Sequence, residues 1–171
     1  MKLSIVGCPD KERFRPYVKR AAQFYAKELL SDKMADNISV KIKFNDKMDA
    51  MGYAHVVDCN ESNKPREFEI EVFSLMSAKD ILKTIAHEMV HVKQFAYGET
   101  NEALSRWKGQ PQTSEGDNYW LCPWEVEAHG MEIGLFAKFV TKEKLWEVFK
   151  GINNLDDPEL DIEPLGWKEY E

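Results

Sequence analysis

The sequence lacks several features that would place it in a particular class of protein. No stretch of its 171 residues approaches the roughly 18 consecutive apolar residues of a membrane-spanning helix. The first residues also lack the apolar run of about 7–15 that a secretory signal carries, so we expect a cytoplasmic protein with no membrane partner. The three cysteines, Cys8, Cys59 and Cys122, form no CxxC pair, which favours free thiols in a reducing compartment.

Basic residues are also in the minority. The chain carries 23 lysines and arginines against 30 aspartates and glutamates, and it has no basic stripe that would hold a phosphate backbone. We therefore expect no nucleic-acid partner, and nothing in the sequence indicates an oligomeric state. Residues 151–171 hold seven acidic residues and one lysine. A solvated acidic tail is the simpler interpretation of this segment, and docking on a basic partner is the alternative.

The composition itself is that of an ordinary globular protein. Hydrophobic residues make up 43% of the chain and charged residues 31%, without internal repeats or low-complexity segments. The length suffices for one domain with a hydrophobic core. We expect this domain to span residues 1–150 and to be followed by an irregular acidic tail, residues 151–171.

The spacing of apolar residues predicts an α+β fold. Strands are expected at residues 2–6, 38–44, 51–59 and 66–73, and helices at residues 9–31, 77–97, 123–140 and 142–150. The last three strands follow one another through hairpin-like links, so the sheet is predicted to be small and mixed or antiparallel. Residues 99–122 are predicted to form a long polar connection, which in a small domain is usually functional or mobile.

The helix predicted at residues 77–97 contains the sequence His87-Glu88-x-x-His91. Residues four apart project from the same side of a helix, so two imidazoles at this spacing can bind one ion. The apolar residues of the segment lie on nearly the opposite side, which places both histidines outside the core. Glu88 lies about 100° round from His87, where it can reach a water on the ion but is poorly placed as a ligand. The alternative is a solvated helix face with two ordinary histidines.

The helix predicted at residues 123–140 offers a third ligand, which a catalytic zinc site usually needs. Glu125, His129 and Glu132 project from its apolar face, where charged and polar groups are costly unless they are paired or bind a metal. We predict that Glu125 is the third ligand. His129 is either the rival ligand, a residue that hydrogen-bonds to a ligand, or a hydrogen-bond donor to the transition state. Glu132 could orient a ligand histidine, and Glu127 is predicted to be a surface residue. A buried salt-bridge cluster without metal is the alternative.

The motif His87-Glu88-x-x-His91 followed by Glu125 resembles the gluzincin metallopeptidases, the thermolysin-like group. Some members carry a downstream Glu-x-x-Ala-Asp helix, to which Glu125-Val-Glu-Ala-His129 is similar, and the first Glu of that pattern is the metal ligand. This sequence departs from the pattern at His129, where the family often has Asp. The segment is also similar to small HExxH proteins of phages and bacteria that have a Pro-Trp-Glu-x-Glu-Ala motif. SprT-like proteins are a more distant comparison, since they usually use a third His.

The resemblance covers about residues 38–140 and implies a zincin-like fold, with a small sheet over the HExxH helix and Zn²⁺ between two helices. It implies a zinc metallopeptidase that hydrolyses peptide bonds in a peptide or protein substrate through a zinc-bound water, with Glu88 as general base. Residues 51–59 are the expected edge strand for an extended substrate. Two alternatives stay open: a zinc-binding protein of the same fold that acts as a non-catalytic interaction module, and a zinc hydrolase of a non-protein substrate.

A peptidase of this kind also needs a second electrophile to stabilise the oxyanion. The sequence offers four candidates: His55, Tyr97, Tyr119 and His129. The polar connection at residues 99–122 is expected to form part of the cleft wall or a lid. Its aromatic residues either line a substrate pocket or pack the connection onto the body of the domain: Trp107, Tyr119 and Trp120.

Overall fold

The computed structural model describes residues 1–60, 64–112 and 119–145. The helices are α1 (Arg15–Leu29), α2 (Asp32–Asp36), α3 (Ala78–Tyr97) and α4 (Pro123–Glu143). The strands are β1 (Lys2–Val6), β2 (Ser39–Asn45), β3 (Gly52–Cys59), β4 (Pro65–Phe73), β5 (Arg106–Trp107) and β6 (Gln110–Pro111). The predicted α+β class is confirmed.

Two sequence predictions fall largely beyond the described part of the chain. The acidic tail, residues 151–171, lies outside it, so the division of the chain at residue 150 stays a prediction. The helix predicted at residues 142–150 begins inside α4, which continues to Glu143, and its remainder from residue 146 lies outside the described residues. None of the described helices is both long and apolar enough to cross a membrane.

The main sheet has four strands in the order β1-β2-β4-β3. β1, β2 and β4 run parallel to one another, and β3 runs antiparallel to β4, so the predicted small mixed sheet is confirmed. The predicted hairpin-like link between β2 and β3 is wrong, because β4 lies between these two strands. The chain passes from β2 to the edge of the sheet and then returns into the centre as β4. β3 is an edge strand, as expected.

Helix α3 lies at the centre of the molecule and contacts β3, β4, α1 and α4. Its apolar arc is buried against the sheet and α1, through Ile81, Ile85, Met89, Val92 and Ala96. Apolar residues of β2 and β4 stand opposite one another in register, which gives the sheet one continuous apolar face towards the helices. The HExxH segment is therefore held by packing on several sides.

Both ends of α3 are capped by residues that favour helix termini. The Ser77 hydroxyl accepts a hydrogen bond from the Asp80 backbone N–H at 3.1 Å and donates one to the Asp80 carboxylate at 2.7 Å. Gly98 ends the helix with a φ of 70°, in the left-handed region that favours glycine. These local signals fix the length of the helix that carries both histidines.

The predicted first helix begins too early, since α1 starts at Arg15 rather than residue 9. Asp10 has a φ of 46°, which a right-handed helix cannot accommodate, and Pro16 occupies the first turn of α1. The polar connection contains an unpredicted hairpin, β5–β6, whose turn residues Lys108 and Gly109 have φ values of 46° and 85°. Two successive positive φ values suit a tight two-residue hairpin turn. A single turn of 3₁₀-helix, Tyr119–Leu121, then leads into α4.

Candidate metal site

Helices α3 and α4 bring together the three residues predicted as ligands. His87 and His91 lie on successive turns of α3, with their Nε2 atoms 3.1 Å apart. Glu125, in the first turn of α4, places one carboxylate oxygen 3.3 Å from Nε2 of His87 and the other 3.4 Å from Nε2 of His91. The three side chains form a group that could hold a metal ion.

The group is shielded from solvent. The side chains of His87, His91 and Glu125 are 12%, 11% and 2% exposed. The interpretation of the histidines as part of a solvated helix face is therefore wrong. They do lie away from the apolar arc of α3, as expected, but α4 covers that side of the helix.

Each histidine is oriented by a partner on its other ring nitrogen. His87 Nδ1 lies 2.9 Å from a carboxylate oxygen of Glu132, so the predicted contact between Glu132 and one of the two motif histidines is present. His91 Nδ1 lies 2.8 Å from Oε1 of Gln94. Both partner oxygens accept, so both histidines donate from Nδ1. In the neutral rings the Nε2 lone pairs would face the Glu125 carboxylate, so the group needs a positive charge, which either a proton on the rings or a metal ion supplies.

The electrostatics of the group favour a cation. Burial lowers the pKa of His87, but hydrogen bonds with Glu125 and Glu132 outweigh burial and raise the pKa to about 9. Burial acts to raise the pKa of Glu125, yet the hydrogen bonds from the two histidines hold it well below its usual range. Glu125 is therefore an anion at neutral pH, at the point where the Nε2 atoms meet.

Glu88 is buried against the edge strand, at 4% exposure. Burial raises its pKa to about 7, against the opposing effect of the neighbouring His91 and His87. A Cβ atom built on Gly52 of β3 would lie 2.7 Å from Oε1 of Glu88 and 2.5 Å from Cγ2 of Thr84. The close approach of β3 to α3 at this point therefore requires glycine. A carboxyl group with a pKa near 7 can both accept and release a proton at neutral pH.

We expect Gly52→Ala to destabilise the protein by about 1–3 kcal/mol, because the added methyl group overpacks the contact between β3 and α3. Urea unfolding of the variant and wild type measures this difference. Gly134→Ala is the matched control, since a Cβ at this position in α4 meets nothing within 4 Å. The control should stabilise the protein by about 0.5–1 kcal/mol, as Gly→Ala does in helix interiors. A Gly52→Ala protein as stable as wild type would contradict the close contact.

His129 lies beside the three ligand candidates. Its Nε2 is 3.9 Å from an oxygen of Glu125, and its Nδ1 is 3.4 Å from an oxygen of Glu132. With His87 and Glu132 it forms a second group that could hold a metal ion. Its Nε2 is buried without a hydrogen-bond partner among the described residues, and its ring lies 5.1 Å from that of Trp120. His129 thus stays a candidate for all three predicted roles, as the rival ligand, as a hydrogen-bond partner of a ligand and as a donor to the transition state.

The fold places only one of the other three candidates for the oxyanion stabiliser near the His–His–Glu group. Tyr119 lies next to Glu125, and both burial and a hydrogen bond with that carboxylate raise the pKa of Tyr119. Its hydroxyl is therefore beside the His–His–Glu group. The hydroxyl of Tyr97 instead accepts a hydrogen bond from the backbone N–H of Ser31, against the α1–α2 connection. His55 lies on the sheet face opposite α3, because its β3 neighbours pack against the core. Two of the four candidates therefore lie next to the group formed by His87, His91 and Glu125. They are Tyr119 and His129.

Sequence reasoning missed Gln94 and misplaced Glu127. Glu127 is only 21% exposed and accepts hydrogen bonds from Gln94, Lys93 and Lys108, so its assignment to the surface is wrong. The reason is that Lys93 and Gln94 of α3 and Lys108 of the β5–β6 turn reach this side of α4. A signal for Gln94 was present, since it follows His91 by three residues and shares its side of the helix.

Comparison of the chain with protein-family models, with curated proteins and with solved structures finds no match. What the fold and the site define is therefore a mixed α+β protein with a buried His–His–Glu group in a possible metal-binding arrangement between two helices. The likeness to the gluzincin pattern rests on these residues and on their placement.

Proposed function

We propose that this protein is a zinc metallopeptidase, with His87, His91 and Glu125 as the residues that would hold the ion. The observation that carries the proposal is the spacing of their ligand atoms. Ligands arranged tetrahedrally at about 2.0–2.1 Å from zinc lie about 3.3–3.4 Å from one another. Here the two Nε2 atoms lie 3.1 Å apart, and the two oxygens of Glu125 lie 3.3 Å from Nε2 of His87 and 3.4 Å from Nε2 of His91. With one ligand atom taken from each residue, the three atoms lie within 4.8 Å of one another. Two imidazoles and a carboxylate are also a donor set that catalytic zinc sites use.

Three protein ligands leave one position open, which distinguishes catalytic from structural zinc sites. Zinc in such a site polarises a carbonyl group and acidifies water. Glu88 would supply the proton transfer, since it follows the first ligand in sequence and has a pKa of about 7. Its carboxylate would accept a proton from the attacking water and then donate it to the leaving amine. Burial under β3 would exclude bulk water from this carboxylate.

The position of β3 supports a peptide as the substrate. Among the described residues β3 pairs only with β4, so its other edge can accept an extended chain through backbone hydrogen bonds. Because Gly52 of this strand contacts Glu88, a peptide on that edge would pass beside the general base. Large apolar side chains are exposed on β3 and on the segment before α4, where they could contact substrate side chains: Tyr53, Val57, Tyr119, Trp120 and Leu121.

Metal removal and reloading test the proposal. We expect the zinc-loaded protein to cleave an unfolded protein, to lose cleavage on chelation and to regain it when zinc is restored. His87→Ala should lose both zinc and cleavage, whereas His55→Ala on the opposite face of the sheet should keep both. Zinc binding without cleavage of any peptide bond would favour the interaction module or the non-protein hydrolase. A wild-type protein that binds no zinc would overturn the proposal.

A further inference from the structure

Gln94 is a fully buried amide in contact with a candidate ligand, and the chemistry above does not use it. Its Nε2 lies 2.9 Å from the backbone carbonyl oxygen of Trp124 and 3.0 Å from Oε2 of Glu127. Carbonyl and carboxylate oxygens only accept, so the NH₂ end of the amide must face them. Oε1 then faces His91 at 2.8 Å and must accept from its Nδ1. The surroundings of Gln94 thus determine which nitrogen of His91 carries the proton.

Glu127 extends this contact towards the surface. Its Oε2 also accepts from Nζ of Lys93 at 3.1 Å, and its Oε1 accepts from Nζ of Lys108 at 3.1 Å. Lys93 in turn forms an ion pair with Glu99 at 2.7 Å. Lys108 is a central residue of the β5–β6 turn. A continuous series of hydrogen bonds therefore runs from this hairpin to the ring of His91.

We propose that Gln94 and Glu127 form a positioning relay, the Gln94–Glu127 relay, which holds His91 with its Nδ1 protonated and its Nε2 free for the metal. Lys108 anchors the relay to the β5–β6 hairpin. The role of the metal rests on the function proposed above, whereas the hydrogen bonds of the relay do not. The two histidines are then oriented by different chemistry, His87 by the carboxylate of Glu132 and His91 by a neutral amide.

The neutral amide is required by its surroundings. A glutamate at position 94 could accept from His91, but its second oxygen would face the carbonyl of Trp124 and the carboxylate of Glu127, which are both acceptors. A methionine has a similar length but would make none of these three hydrogen bonds, and His91 Nδ1 would lose its acceptor. Both substitutions should therefore disturb His91, whereas a site that needed only an acceptor would tolerate glutamate.

Zinc affinity provides the first measurement, by competition with a chelator of known affinity. We expect Gln94→Met and Gln94→Glu each to bind zinc about 10–100-fold more weakly than wild type, as is typical for partners that orient metal-binding histidines. Gln23→Met, at an exposed position on α1, is the matched control and should bind like wild type. Lys108→Ala leaves the core intact and should weaken binding about two- to fivefold, as expected for a partly exposed ion pair. Lys108→Arg should restore the affinity.

The ring N–H of His91 provides a second measurement, by NMR of the ¹⁵N-labelled full chain. We expect a slowly exchanging proton on Nδ1 in both metal-free and zinc-loaded wild type, and its loss in Gln94→Met. Wild-type zinc affinity in both Gln94 variants, or no protected Nδ1 proton in wild type, would overturn the relay. A wild-type protein that binds no zinc but keeps this proton would overturn the proposed function and support the relay as the device that orients His91.

Discussion

Replacing Glu88 with glutamine is expected to reduce peptide cleavage by about 10²–10⁴-fold, the usual contribution of a general acid–base group, while zinc stays bound. Glutamine has the shape of the buried carboxylate but cannot take a proton from the attacking water. The carboxylate of Glu88 is not one of the three groups that converge at the metal position. Initial rates on a peptide substrate and the zinc content of the same preparation, measured together, test both halves of this prediction.

Glu102→Gln is a suitable control, because it makes the same chemical change at an exposed position. It should keep both zinc and the wild-type rate. Full cleavage by a zinc-loaded Glu88→Gln protein would contradict the role of Glu88 as general base. Loss of zinc from that variant would contradict the assignment of Glu88 as a base that does not bind the metal.

Replacing Glu125 with alanine is expected to have the largest effect on zinc binding. The side chain is 2% exposed, and its two oxygens lie 3.3 and 3.4 Å from the Nε2 atoms of the two histidines. Since Glu125 is the proposed third ligand, the loss of affinity should exceed the roughly 10–100-fold that is typical when a residue that only orients a metal-binding histidine is removed. Chelator competition on the purified variant and wild type measures the difference.

Two further variants rank the possible ligands on α4. His129→Ala should bind zinc with nearly wild-type affinity if Glu125 is the third ligand. Glu127→Ala should show an intermediate loss, because Glu127 supports Gln94 rather than the metal itself. A larger loss in His129→Ala than in Glu125→Ala would make the rival assignment correct.

The features that the sequence predicted best depend on neighbours along the chain. The spacing of His87 and His91 is local, and the helix predicted at residues 77–97 is observed at Ala78–Tyr97, where Ser77 and Gly98 cap it. Glu125 was found by a similar argument, since a carboxylate on the apolar side of a helix needs a partner. Its burial confirms that reasoning.

The features that were missed depend on contacts between distant parts of the chain. The position of β4 between β2 and β3 is set by the register of apolar faces, which single strands do not reveal. The helix position of Glu127 predicts a surface residue because it says nothing about Lys108, which reaches Glu127 from the distant β5–β6 turn. Tyr97 looked like a candidate near the site, yet its place at the end of α3 directs its hydroxyl to Ser31.

The central claim is that His87, His91 and Glu125 together hold zinc, and anomalous diffraction at the zinc edge tests it most directly. Crystals of the protein loaded with one equivalent of zinc should show one anomalous peak between α3 and α4. That peak should lie about 2.0–2.2 Å from Nε2 of both histidines and from a carboxylate oxygen of Glu125. A peak ligated by His129 and Glu132 instead, or no peak between these helices, would contradict the account.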